Sequence, residues 1–414
     1  MATISPSSDF APARAASPAQ AALRDPRLDV FRGIAMFIIL IAHIPDNAWN
    51  NWIPARFGFS DATEIFVFCS GMASAIAFGG AFNRRGWAMG TARVAYRCWQ
   101  VYWAHVALFF FVAMMVAALD TYGGFGKSYV DGLNLGHFFD RPMEQIVGLF
   151  TLTYVPNYFD ILPMYLVVLA LMPLYMALAR ISLWAVAGVA LAIWLGANVD
   201  YLDLPAEPWS NREWFFNPFG WQLLFFTGFA LMIGWLPAPP VSRTLVWLAL
   251  AFVVLSAPYG SWKVQTWVDA GFPALGALIR DGWSGLQAFG LATGFDPRDK
   301  TDFGILRYVH FLSLAYLAWV AAGEGGQRLA ASGSGPGAAA WELVLRVVTR
   351  VGQQSLAVFV FSMAVARLLG FALDQIGRTA GTFALINLTG FAMIVAVAYI
   401  AGWFKSQPWR SRRA

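Results

Sequence analysis

Leu28-Asp29-Val30-Phe31-Arg32-Gly33-Ile34-Ala35-Met36-Phe37-Ile38-Ile39-Leu40-Ile41-Ala42-His43 is the stretch that decides the reading of this chain. It is apolar apart from Asp29, Arg32 and His43. A helix rises about 1.5 Å per residue, so Arg32 and His43, eleven positions apart, would lie about 16 Å apart along its axis, roughly half a hydrocarbon core. A cation and an imidazole at two depths of one membrane helix are costly unless they face a protein interior or a water-filled cavity. The arrangement suits an enzyme that moves a group across a membrane, with the cation near the cytoplasmic end and the titratable group deeper or further out.

The rest of the composition agrees with a membrane setting. Of 414 residues, 59% are hydrophobic and 12% charged, with 19 Trp and a mean hydropathy of +0.57. Soluble domains carry about twice that charge fraction. The expected fold class is therefore an all-α polytopic membrane protein in contact with a lipid bilayer. The net charge of +5 is no sign of nucleic-acid binding, because in such a chain the distribution of Lys and Arg between loops matters more than their sum. Cys69 and Cys98 read as packing residues rather than a disulfide framework.

Apolar runs fall at about 28–48, 61–82, 99–119, 161–179, 183–198, 219–236, 244–260, 304–322, 351–371 and 382–403, giving about ten transmembrane helices. The run at 146–155 is too short to span. With the N-terminus inside, 17 of the 28 basic residues fall on inside segments, which places both termini in the cytoplasm. Residues 1–22, rich in Ala, Pro and Ser, read as a disordered cytoplasmic tail. Residues 23–404 read as one transmembrane domain and 405–414 as a basic cytoplasmic tail. No cleavable signal precedes the first span, which is expected to be retained. Residues 332–340 read as a Gly/Ser/Ala linker, and 120–160, 199–218 and 261–303 as the longer outside loops.

The candidate chemistry centres on His43. Glu64, early in the second run, is expected at the depth of His43, and Asp61 shares its helix face. A carboxylate beside an imidazole orients the ring and raises its basicity, which makes a general base. Ser60 and Asp61 also read as helix caps. Arg93 and Arg97 share a face at the inner end of the third run and, with Arg32, form a cluster suited to a phosphate-bearing donor. Such a cluster also serves to set topology and touch anionic lipid. Asp29, His105 and His310 are further candidates, and Arg367 is a cation within the ninth run. The four histidines are scattered and no CxxC or HxxxH spacing exists, so no metal site is expected. No Walker loop, GxGxxG or GxSxG occurs. General-base catalysis without a covalent enzyme intermediate is then the simplest chemistry.

Arg32 followed after ten residues by His43 resembles the signature of membrane acyltransferase-3 proteins. More closely, the chain resembles the OpgC family, the succinyltransferases of osmoregulated periplasmic glucans. The stretches that carry the likeness are Arg24–Gly33, Phe57–Phe68, Leu162–Tyr165, Phe216–Gln222 and Gly352–Leu356. The resemblance implies a multi-pass enzyme of the bacterial inner membrane. Its co-substrate would be a cytoplasmic acyl-CoA, succinyl-CoA above all, with no permanently bound cofactor, and its acceptor a hydroxyl of a periplasmic glucan. It makes His43 the essential histidine, Arg32 the motif arginine, and Arg93 and Arg97 the arginines of the third span. Two other classes share the architecture: a glycan or polar-solute transporter, and a non-enzymatic membrane subunit.

Overall fold

Asp25 starts the first helix: its carboxylate accepts the Arg27 N–H at 3.0 Å, and Pro26 occupies the position where a missing N–H costs nothing. The resulting helix α1 is Pro26–His43. It ends at an extended Ile44 followed by Pro45, which disfavours the helical conformation in the residue before it. The computed structural model describes residues 25–410. The expected N-terminal tail over 1–22 and the last four residues lie outside these.

Fourteen further helices follow: α2 Ala62–Ser74, α3 Gly80–Gly123, α4 Gly136–Asp140, α5 Pro142–Thr151, α6 Ile161–Leu178, α7 Leu183–Asn198, α8 Pro218–Ile233, α9 Arg243–Gly260, α10 Trp262–Gly271, α11 Pro273–Thr293, α12 Ile305–Ala322, α13 Pro336–Gln353, α14 Ser355–Ile376 and α15 Ala380–Ser406. A π-helical turn, Ala75–Gly79, joins α2 to α3, and α3 is broken near its start at Gly86 (φ +81°). No strand occurs among the described residues.

The apolar runs fall largely on helices, although 61–82 passes from α2 into α3 and 351–371 from α13 into α14, and six stretches are by themselves long and apolar enough to cross a membrane. These are Ala62–Gly123, Ile161–Leu178, Arg243–Gly260, Ile305–Ala322, Ser355–Ile376 and Ala380–Ser406. Four expectations are corrected. The Gly/Ser/Ala stretch at 332–340 is not all linker, because α13 begins at Pro336 and carries Glu342, Arg346 and Arg350 on one face. The expected outside loop 261–303 contains α10 and α11. Helix α3 starts at Gly80 rather than near 99, so Arg93 and Arg97 sit mid-helix. Lys405 belongs to α15 and not to a tail.

Small residues let these helices approach backbone to backbone. A Cβ at Gly71 of α2 would collide with the Phe225 carbonyl of α8, and one at Gly228 of α8 with the Phe68 carbonyl of α2. The crossing of α1 with α13 uses the same device, Gly33 against Val348 and Gly352 against Asp29. Around these crossings lies an aromatic-rich core that includes the fully buried Phe109, Tyr175, Trp221, Phe225 and Phe229.

Replacing Gly71 with Leu forces α2 and α8 apart, and the expected cost is roughly 3 kcal/mol. Gly188→Ala in α7, where a Cβ meets nothing within 4 Å, should be neutral or stabilising. Melting of the two variants in detergent checks the contrast; equal melting temperatures would refute the close α2–α8 crossing.

Candidate functional site

His43 closes the last turn of α1, and its Nδ1 lies 2.7 Å from the Ile39 carbonyl oxygen. A carbonyl only accepts, so Nδ1 carries the proton and Nε2 keeps its lone pair. The ring lines a cavity of about 550 Å³. Tyr158 meets it edge-on, with centroids 5.5 Å apart, and the Arg367 guanidinium lies over the Tyr158 ring, 3.9 Å from its centroid. The Tyr158 hydroxyl donates to the Met363 carbonyl. Tyr158 has φ +87°, a conformation that strains a bulky residue and persists only where the surroundings hold it. Asp160, buried two residues later, lines the same cavity and leaves Oδ1 without a hydrogen-bond partner.

The two carboxylates expected beside His43 are present but otherwise engaged. Glu64 is fully buried, and its Oε1 receives Arg307 Nη2 at 2.5 Å and Nε at 3.0 Å. Its Oε2 accepts the Asp61 N–H at 2.7 Å, half of a capping box that Asp61 completes on the backbone of α2. The outer oxygen of Asp61 binds Lys300 Nζ at 2.6 Å. The expectation that Glu64 or Asp61 orients His43 is therefore corrected: the backbone of Ile39 holds the ring, and the carboxylates hold two cations. Arg307 and Lys300 both line the cavity. Sequence reasoning did not place them there, because their partners lie 243 and 239 residues away.

A second cavity of about 570 Å³ opens toward the other end of α1. Arg32, Arg93 and Arg97 line it, with Gln353, Ser355 and Lys405. Arg32 donates to the Ser355 hydroxyl, and Arg97 Nη1 to Gln100 Oε1 at 3.2 Å. Thus the three expected donor-site arginines share one cavity and His43 faces the other. Both cavities are lined by α1, α2, α6 and α14. On α2 the two linings are separated by Val67, Phe68 and Cys69, with Phe66 and Ser70 about 6 Å apart along the helix. Phe66 stacks on Phe359 on the His43 side of this septum, with centroids 5.5 Å apart.

The remaining candidates fall elsewhere. Asp29 is buried where α1 meets α13 and lines neither cavity. His105 is fully buried in α3, with no hydrogen-bond partner on either ring nitrogen. His310 bonds Ser60 at the rim of the His43 cavity, Nδ1 to Oγ 2.7 Å. No group of three or more His, Cys, Asp or Glu suited to a metal occurs among the described residues.

The loop that delivers Lys300 is itself anchored by carboxyl groups. Asn217 Nδ2 lies 2.8 Å from Asp302 Oδ1 and 2.9 Å from Asp203 Oδ1. Burial, opposed by the Asn217 hydrogen bond and reinforced by Asp299, Asp203 and Asp200, pushes the Asp302 carboxyl up to about 7.

Fold and site together define an all-helical membrane protein in which one helix carries an arginine-lined cavity toward one end and a histidine-lined cavity toward the other. The chain belongs to the OpgC family, whose model, described as OpgC protein, matches residues 24–406. Membership implies a function of the glucan succinyltransferase type. No curated protein and no solved structure matches the chain.

Two outcomes are expected from this geometry. Arg307→Met strands the buried Glu64 carboxylate and should cost about 3–5 kcal/mol, while adding Glu64→Gln removes the charge and should recover more than half of it. A thermal-melt double-mutant cycle that finds additive losses would reject the pairing. Between about pH 4 and pH 7 the native chain keeps the Asp302 proton that the unfolded chain has released, so stability falls as pH rises through that window. Asp302→Asn should flatten this fall in melts recorded across the window; an unchanged slope would clear Asp302.

Proposed function

We propose that this chain is a membrane O-acyltransferase of the acyltransferase-3 kind that carries an acyl group, succinyl above all, from cytoplasmic acyl-CoA to a hydroxyl of a periplasmic glucan. It would sit in a bacterial inner membrane as a multi-pass protein of about ten spans, with both termini cytoplasmic. The observation that carries the reading is the pair of cavities back to back between α1, α2, α6 and α14.

Each cavity offers what one substrate needs. Guanidinium groups grip phosphate oxygens through paired hydrogen bonds, so Arg32, Arg93 and Arg97 suit the phosphates of a CoA donor. An extended pantetheine arm would lead the thioester along α1, past Phe66 and Phe359, toward His43. A sugar hydroxyl is a weak nucleophile, and a positioned base contributes about 10²–10⁴-fold. The free Nε2 of His43 faces the cavity as that base, with Ile39 fixing its tautomer. Arg307 and Lys300, held by Glu64 and Asp61, supply positive charge where an oxyanion would form. A thioester is already activated, so this chemistry asks for no metal and no resident cofactor.

The closed septum also fits a transporter with alternating access, and the discriminating result is chemical change in the substrate. Periplasmic glucans from a deletion strain should gain the mass of an acyl group with the wild-type chain and none with His43→Ala at equal membrane abundance. Acylation by His43→Ala would reject the histidine, and unmodified glucan in both strains would favour transport. Arg93→Ala removes a charge-assisted phosphate contact and should raise KM for the donor about tenfold or more; an unchanged KM would remove Arg93 from the donor site.

A further inference from the structure

We propose that Ser60, on the wall of the His43 cavity, and His310 behind it form a second catalytic pair, in which Ser60 holds the acyl group as an ester between donor and acceptor. The inference rests on the acyl-transfer reading above and replaces its single step with two.

Ser60 Oγ lies 2.7 Å from His310 Nδ1, inside the range of an activated hydroxyl and its base. Ser60 lines the cavity that His43 lines. The two residues are 1% and 2% exposed, so little water competes for the contact. His310 Nε2 has no hydrogen-bond partner. The ring is walled by Phe59, edge-on with centroids 6.0 Å apart, and by Gly58, where any Cβ would collide with the imidazole. A buried imidazole with one nitrogen unpaired is costly and asks for a compensating use. Arg307, one turn before His310, is clamped to Glu64, one turn after Ser60, so the same ion pair sets the register of the serine and its base.

The pair is competent with the His310 proton on Nε2, where Nδ1 accepts the Ser60 hydroxyl proton. His43 is held in the opposite tautomer by Ile39. The cavity therefore presents a hydroxyl bonded to an imidazole behind it, and a second imidazole with a free lone pair for an incoming hydroxyl.

Two half-reactions follow. Ser60 Oγ attacks the thioester carbonyl while its proton passes to His310 Nδ1. The C–S bond breaks, the thiolate takes that proton, and free CoA leaves an acyl ester on Ser60. A glucan hydroxyl then attacks the ester, giving its proton to His43 Nε2. The Ser60–acyl bond breaks, the departing Oγ takes the proton from His43, and both imidazoles end neutral. The donor can leave before the acceptor arrives, so the septum never has to open to both sides at once.

The test uses the full-length protein in nanodiscs with succinyl-CoA labelled in the acyl group, first without acceptor and then with glucan. Peptide mass spectrometry should find one succinyl group on Ser60, accumulating in His43→Ala and absent in Ser60→Ala, whose glucan acylation falls at least about a hundredfold. In Ser60→Cys the label should become a hydroxylamine-labile thioester, which also shows that the site is folded. Acylated glucan with no label on Ser60 in wild type or His43→Ala would overturn the pair and leave direct transfer standing. A wild-type chain that acylates no glucan would overturn the acyl-transfer reading, and the pair with it.

Discussion

The ion pair between Glu64 and Arg307 is the constraint on which the rest of the site depends. A carboxylate with no exposed surface in a membrane protein persists only with a cation and hydrogen bonds to offset its lost hydration, and Glu64 has both. The pair ties α2 to α12, two elements 243 residues apart in sequence. The same carboxylate closes the capping box that fixes where α2 begins. Asp61, on the other side of that cap, draws in Lys300 and with it the loop before α12. Two linked carboxylates thereby set the start of a helix, the register of its neighbour and two cations of the cavity wall.

Helix α1 organises the other direction, along its own axis. Its apolar middle is long enough to keep Arg32 and His43 in different cavities, and short enough that both cavities share the same neighbours. The glycine crossing with α13 brings the α13–α14 turn against α1, and there Ser355 meets Arg32. The strained Tyr158 braces His43 from the opposite wall, held by Met363 and covered by Arg367. Three elements far apart in sequence thus converge on two side chains of one helix.

What was legible in the sequence was local. The apolar run from Leu28, its arginine and histidine, and the Asp61 cap all follow from residue type and spacing within a few turns, and the helices bear them out. The basic face of α3 was legible for the same reason, and Arg93 and Arg97 do meet Arg32 in one cavity. The partner of Glu64 was not legible, because a carboxylate can satisfy itself with any cation that tertiary packing supplies. His43 appeared to need a carboxylate, yet the carbonyl of the preceding turn does that work and carries no side-chain signature. The start of α13 was hidden by Gly, Ser and Ala, although Val344, Val347, Val348 and Val351 recur at the spacing of one helix face.

An enzyme that joined chemistry on the two faces of a membrane would have to prevent the membrane from leaking through its own reaction path. Here three residues of α2, Val67 to Cys69, separate the two linings, and Phe66 stacks on Phe359 on the His43 side. Aromatic rings suit that place, since they exclude water and ions yet rotate aside for a narrow apolar-sided chain without breaking any hydrogen bond. Arg32 and Ser355 line the cavity on one side and His43 and Asp61 the cavity on the other. The cost of burying charge at two depths, which singled out α1 in the sequence, is met by two separate cavities rather than by one continuous pore.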